Sequence, residues 1–147
     1  MKIIEELLAG AKAQGACRKA GKIKDLDQLV ELYLSPQGLE FCINNNYPSP
    51  EQWQAIKEAW GETELAKRNV YINEPHLVVD TNPGNIILVG EKTEAYITAS
   101  GANRTQTIIA LHGAKAHVTG SDYAVLNLIE ATGGTIEYHI DKTCIKL

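Results

Sequence analysis

The chain has 147 residues, of which 44% are apolar and 22% are charged, and its net charge at neutral pH is −4. These values are typical of a soluble globular protein that can bury a core without disulfide or metal staples. Residues 1–69 contain 9 basic and 10 acidic side chains, and residues 70–147 contain 5 and 8. Because neither half is a basic platform, we expect no nucleic-acid partner.

The cysteines and the N-terminal sequence bear on the cellular compartment. Cys17, Cys42 and Cys144 are odd in number and scattered, so they do not form a disulfide framework. Two acidic side chains lie within residues 1–6, where a secretory signal would have its apolar segment. No apolar segment approaches the roughly 20 residues needed to span a bilayer. The sequence therefore predicts a cytoplasmic protein with reduced thiols and no membrane association.

Residues 1–66 predict a helical N-terminal subdomain of short helices. Apolar residues at helical spacing indicate an amphipathic helix over residues 2–14, and a second apolar stripe follows Asp25, which is a good N-cap. Two further helices are predicted to begin at the pairs Ser35-Pro36 and Ser49-Pro50. Serine can accept a backbone N–H at a helix start, and proline costs no hydrogen bond in the first turn.

The end of this subdomain is also visible in the sequence. Gly61 suits the C-terminal end of the last helix, and residues 62–69 are interpreted as a charged connector. Because each helix is too short to persist alone, the helices must pack. We expect Trp53 and Trp60, the largest apolar side chains available, to be buried.

Residues 67–147 predict a second subdomain built from repeats. Each copy is a short apolar run, a polar step and a second short run rich in Val, Ile, Thr and Tyr. Val89, Leu111 and Ile129 recur after 22 and 18 residues, a spacing typical of stacked repeats. Asn-Gly and Asp-Gly hairpin turns are absent from the sequence. The predicted fold class is α+β, with the helices followed by a small β-solenoid of about three to four coils; an antiparallel β-meander or sandwich is the alternative.

A solenoid would sort the repeat residues onto two faces. Alternate side chains of a strand point to opposite faces, and those expected to point inward are Ala95, Ile97, Ala116, Val118 and Ile136. Tyr96, His117 and Glu137 would then form an outward ladder. A solenoid also leaves strand edges at its ends, which need caps or partners. The helical subdomain is the expected cap at one end, and the run 143–147 is expected to pair with the last coil or with a neighbouring subunit.

Candidate site residues are few. Tyr96, His117, Glu137 and His139 are the only plausible ligand-binding set, and no catalytic residue can be assigned. A metal site formed by His117, Glu137 and His139 is one interpretation, but such sites need convergent ligands at short fixed distances. We favour an outward polar ladder without metal or other cofactor. No cysteine has a marked histidine partner, so a catalytic thiol is not predicted.

One resemblance covers most of the chain. The segments Ser35-Pro36-Gln37-Gly38 and Asn45-Asn46-Tyr47-Pro48-Ser49, followed by β repeats, resemble short uncharacterised proteins of gut anaerobic bacteria and their prophages. Those proteins pair a helical head with a β-repeat tail that has steps like Gly120-Ser121-Asp122-Tyr123. The resemblance implies an accessory role, with a prophage origin as one source, and implies no reaction.

Two functions are compatible with these observations. We expect a non-enzymatic interaction or assembly module, which binds a protein partner or copies of itself through β edges, because repeats form binding surfaces and no catalytic constellation is visible. The alternative is a β-helix that binds or hydrolyses a carbohydrate or nucleotide through the outward polar ladder.

Overall fold

The computed structural model describes residues 26–79, 85–101 and 105–147 of the chain. By its internal contacts the chain divides into two compact units, Met1–Gly61 and Glu62–Leu147. The predicted helix over residues 2–14, the cap at Asp25 and Cys17 lie outside the described residues.

The first unit contains three described helices: α1 (Leu26–Leu34), α2 (Pro36–Asn44) and α3 (Pro50–Trp60). Both Ser-Pro starts are confirmed. The Ser35 side chain accepts the Gly38 N–H, and the Ser49 side chain accepts the Gln52 N–H within a full capping box. Gly61 caps the end of α3 with φ of 87°.

The tryptophans of α3 differ in burial. Trp53 is only 2% exposed, whereas Trp60 is half-buried. The expectation of burial is therefore confirmed in full for Trp53 alone.

The second unit begins with a helix, α4 (Glu62–Ala66), where the sequence suggested a connector. Charge dominates this segment, but Leu65 is 1% exposed and anchors one side of the turn. On the other side Glu64 lies 2.9 Å from the Lys67 ammonium and 3.2 Å from the Arg68 guanidinium. Pairs at these spacings stabilise a helix modestly. The connector interpretation of residues 62–66 was therefore wrong.

Nine strands follow in the described part of this unit. They are β1 (Val70–Ile72), β2 (Leu77–Val79), β3 (Ile86–Val89), β4 (Glu94–Ser100), β5 (Thr105–Leu111), β6 (Lys115–Ser121), β7 (Val125–Glu130), β8 (Thr135–Ile140) and β9 (Ile145–Lys146).

The strands build a parallel β-solenoid of about three turns. Odd-numbered strands form one sheet in the order β1-β3-β5-β7-β9, and even-numbered strands form a second sheet in the order β2-β4-β6-β8. Every pairing is parallel. The chain therefore alternates between two sheets as it winds, which confirms the solenoid and excludes the antiparallel alternative.

Strand register shows which spacings the sequence predicted correctly. Val89 pairs with Leu111 as expected, and Ile97 pairs with Val118. In the last full coil the spacing is 20 residues, because Ala116 pairs with Ile136 and Val118 pairs with Tyr138. The predicted spacing of 18 residues was therefore wrong by two. An error of two keeps each side chain on its face, so Ile136 still points inward.

Small and branched apolar residues fill the interior between the sheets. In the even-numbered sheet Ala95, Ile97, Ala116 and Val118 are all at most 2% exposed, and Ile136 is 9% exposed. They belong to one apolar cluster with inward residues of the odd-numbered sheet such as Ile108. Alanine suits these positions because the two sheets approach closely in a narrow coil. The predicted inward set is confirmed.

Threonine hydroxyls link the corners of successive coils. Thr93 accepts the Glu74 N–H at 3.2 Å and donates to the Val89 carbonyl at 2.6 Å. At later corners the Thr132 hydroxyl accepts the His112 N–H at 2.8 Å, and the Thr143 hydroxyl accepts the Tyr123 N–H at 3.0 Å. Each bond satisfies a backbone donor that the strand ladder does not reach.

Replacing Thr93 with valine tests this corner bond. The substitution conserves shape but leaves the Glu74 N–H and the Val89 carbonyl without the hydroxyl in a buried place. We expect Thr93→Val to lower the free energy of unfolding by about 1–3 kcal/mol, measured by chemical denaturation. The matched control is Thr98→Val on the exposed face of β4, which should change stability little. Equal losses in both variants would contradict a special role for the corner.

Candidate functional site

The outward face of the even-numbered sheet carries the residues that the sequence singled out. Tyr96 on β4, His117 on β6 and Glu137 on β8 occupy one register column, so the predicted polar ladder exists. Tyr96 is 45% exposed, which places the ladder on the surface. His139 points to the same face but pairs with Thr119 in the neighbouring column. The structure therefore brings three of the four predicted residues together.

Ring stacking and an ion-pair geometry hold the polar ladder. The Tyr96 and His117 rings stack with centroids 4.7 Å apart and planes inclined by 12°. On the next coil the Glu137 carboxylate lies 3.2 Å from His117 Nδ1. The imidazole thus lies between an aromatic ring and a carboxylate, both supplied by the strands on either side of β6.

Glu94 completes this cluster, and the sequence analysis missed it. The Tyr96 hydroxyl donates to the Glu94 carboxylate at 2.7 Å, and the same carboxylate oxygen lies 3.8 Å from His117 Nε2. The hydrogen bond from Tyr96 is the main reason that the pKa of Glu94 is lowered, and it raises the pKa of the Tyr96 phenol. Glu94 and Tyr96 are two residues apart on one strand, and that spacing was the available signal.

The ladder groups bond mainly to one another. The Tyr96 hydroxyl has a carboxylate partner, and both His117 nitrogens face carboxylates. Within residues 26–79, 85–101 and 105–147, no three His, Cys, Asp or Glu side chains are placed to hold a metal ion. This geometry is suited to fixing strand register on an exposed face, and it shows no convergent point for a substrate atom.

A groove lies at the other end of the solenoid. It has a volume of about 530 Å³ and lies between α4 and the first coil. Its lining residues are Glu62, Thr63, Ala66, Lys67, Tyr71, Glu74 and Leu77. The sequence analysis did not predict this groove, because its first residues were interpreted as a connector.

The last coil ends differently in the two sheets. In the odd-numbered sheet β9 pairs with β7, as expected for the run 143–147, and the Ile145 N–H donates to the Ala124 carbonyl. In the even-numbered sheet β8 is the outermost strand, and no described strand pairs with its outer edge. We call this outer edge of Thr135–Ile140 the open edge.

Tyr138 shows how incomplete the core is at the open edge. It continues the inward column of Ile97 and Val118, which are 2% and 1% exposed, yet Tyr138 is 42% exposed. The Lys146 ammonium lies 5.0 Å above the Tyr138 ring and covers part of it. An inward position is thus exposed where the next strand of the sheet would lie.

Comparison of the chain with protein-family models, with curated proteins and with solved structures finds no match. Among the described helices, none is long and apolar enough to cross a membrane. The cytoplasmic location stays a prediction.

The link between Tyr96 and Glu94 can be tested by titration. Removing the hydroxyl in Tyr96→Phe should raise the pKa of Glu94 toward its ordinary value, because the carboxylate loses its main hydrogen bond. In Glu94→Gln the pKa of Tyr96 should fall toward its ordinary value. Carboxyl and ring resonances followed by NMR measure both changes, and Tyr123→Phe on another exposed tyrosine is the control. An unchanged Glu94 titration in Tyr96→Phe would contradict the bond.

Proposed function

We propose that the protein is a non-enzymatic interaction module that binds a polypeptide strand at the open edge. The observation that carries the proposal is Tyr138, an aromatic side chain in an inward column, 42% exposed on an edge strand. An added strand would bond the edge backbone and cover this ring. Strand addition of this kind gives affinity through main-chain hydrogen bonds and specificity through alternate side chains.

The backbone of β8 supports strand addition. The Thr135 and Asp141 N–H groups donate to the preceding coil, at the Ala114 and Gly120 carbonyls. Because backbone groups alternate between the two sides of a strand, those of Tyr138 and Ile140 face the open edge. The Ile136 N–H also faces this edge, and the Glu130 carboxylate accepts it at 2.8 Å.

Charged residues block the other sheet but leave β8 accessible. Glu130 continues the inward column of Leu88 and Ala110, and Lys146 follows Leu126 in another. A further coil on the odd-numbered sheet would have to bury these charges, and inward charges are a known protection of sheet edges. The corresponding inward residues of β8 are Ile136, Tyr138 and Ile140. The apolar, unprotected edge is therefore confined to one strand.

Ligand binding or hydrolysis through the polar ladder draws no comparable support. The Tyr96 ring is stacked against His117, and the carboxylates of Glu94 and Glu137 face the imidazole. An accessory role, such as that of a prophage protein that binds another protein, fits an interaction module, since binding requires a surface and no reaction.

A charge placed on the open edge tests the proposal. Tyr138→Lys should abolish association, because lysine on an edge strand opposes strand addition. Tyr123→Lys is the matched control, since Tyr123 is a 65% exposed tyrosine in the turn before β7. Association is measured by sedimentation from micromolar to millimolar concentration and by affinity capture from cells. Circular dichroism checks that both variants fold.

We expect the wild type and Tyr123→Lys to associate, with themselves or with captured proteins, and Tyr138→Lys to lose that association. The same association in all three proteins, or association in none of them, would overturn the proposal.

A further inference from the structure

We propose that the strand added at the open edge is β8 of a second copy, antiparallel to the first, with Tyr138 opposite the second copy's Tyr138. This inference rests on the proposed function and names the partner. Its basis is the segment Ile136–Ile140, in which an apolar residue, a charged residue, an aromatic residue, a residue of opposite charge type and an apolar residue follow one another. The segment is therefore complementary to its own reverse.

The two-fold symmetry limits the possible registers. Residues that lie opposite each other in an antiparallel pair point to the same face of the sheet. Outward residues of one copy must therefore lie opposite outward residues of the other. Neighbouring allowed registers then differ by two residues in the pairing partner.

Charge selects one of these registers. With Tyr138 opposite itself, Glu137 lies opposite the second copy's His139, and the pair occurs twice by symmetry. A shift one way places Glu137 opposite the second copy's Glu137. A shift the other way places Glu137 opposite the second copy's Asp141. Like charges directly opposite each other destabilise a strand pair, so only the first register avoids repulsion.

Backbone and core agree with that register. The groups of Tyr138 and Ile140 that face the open edge would meet Tyr138 and Ile136 of the second copy as hydrogen-bonded pairs, while the Glu137 position falls at a non-hydrogen-bonded pair, where side chains approach closest. The Ile136 N–H keeps its bond to Glu130. On the inward face the apolar residues of both copies meet, so the interior continues across the interface and the Tyr138 ring is covered.

The polar ladder would also continue across the axis. Glu137 lies 3.2 Å from His117 of its own chain and is 75% exposed. Its free side would face the second copy's His139, which is exposed in the single chain. Histidine side chains gain charge between about pH 8 and 5, so the wild-type pair is suited to assembly at mildly acidic pH.

A charge exchange tests the register. Glu137→Lys places lysine opposite histidine, and His139→Glu places glutamate opposite glutamate; each should weaken dimerisation about tenfold or more. The double variant restores opposite charges between copies, although it leaves the introduced lysine beside His117 within each chain. We expect its dimerisation, measured by sedimentation equilibrium at neutral pH, to return to the wild-type level or above it.

Cysteine pairing provides the second measurement. Residues opposite each other at a non-hydrogen-bonded position have Cα atoms about 4.5 Å apart, within disulfide range. The double variant Glu137→Cys/His139→Cys should therefore oxidise to a covalent dimer joined between positions 137 and 139, identified by peptide mass mapping. Either single variant, which lacks the facing cysteine, should not form this link.

The outcomes separate this inference from the proposed function. If Tyr138→Lys abolishes association while the charge exchange fails to restore it and no bond joins positions 137 and 139, the open edge binds something else, and the second copy in this register is excluded. If Tyr138→Lys has no effect, the proposed function fails, and this inference fails with it.

Discussion

Parallel hydrogen bonding between successive coils is the constraint on which the rest of this structure depends. Each strand of the second unit takes its register from the strand one coil earlier, so a one-residue slip would move a whole set of side chains to the opposite face. Alternation of buried and exposed residues on β4 and β6 opposes such a slip. The corner threonines add a second restraint, since each binds a backbone N–H of the preceding coil.

This constraint explains why the fold could be predicted from the sequence. A repeat of about 20 residues, with β-branched residues beside alanines, is satisfied when like side chains stack in a narrow coil. The spacing failed only in the last coil, where Ile136 was aligned with Val118 instead of Ala116. Both Ile136 and Tyr138 suit a strand, and the sequence contains no feature that distinguishes their inward columns. α4 was missed because local charge masked the single buried contact of Leu65.

The surface was predictable to a lesser degree. Face alternation alone placed Tyr96, His117 and Glu137 in one column. The involvement of Glu94 depends on a side-chain conformation that bends a carboxylate toward a neighbouring hydroxyl, and strand periodicity does not specify it. The exposure of Tyr138 could not be foreseen, because it depends on which strand of each sheet lies outermost. Sequence patterns identify faces well, whereas edges depend on the three-dimensional order of strands.

The unequal ends of the two sheets are the feature most relevant to function. Selection against aggregation favours charges at inward positions of an exposed edge, and Glu130 and Lys146 meet this expectation in the odd-numbered sheet. If protection were the sole requirement, β8 would carry such a residue as well. It carries Ile136, Tyr138 and Ile140 instead, and its charged residues point outward. Outward charges leave the backbone accessible and discriminate between registers. A strand of this composition is poorly suited to avoiding partners and well suited to choosing one.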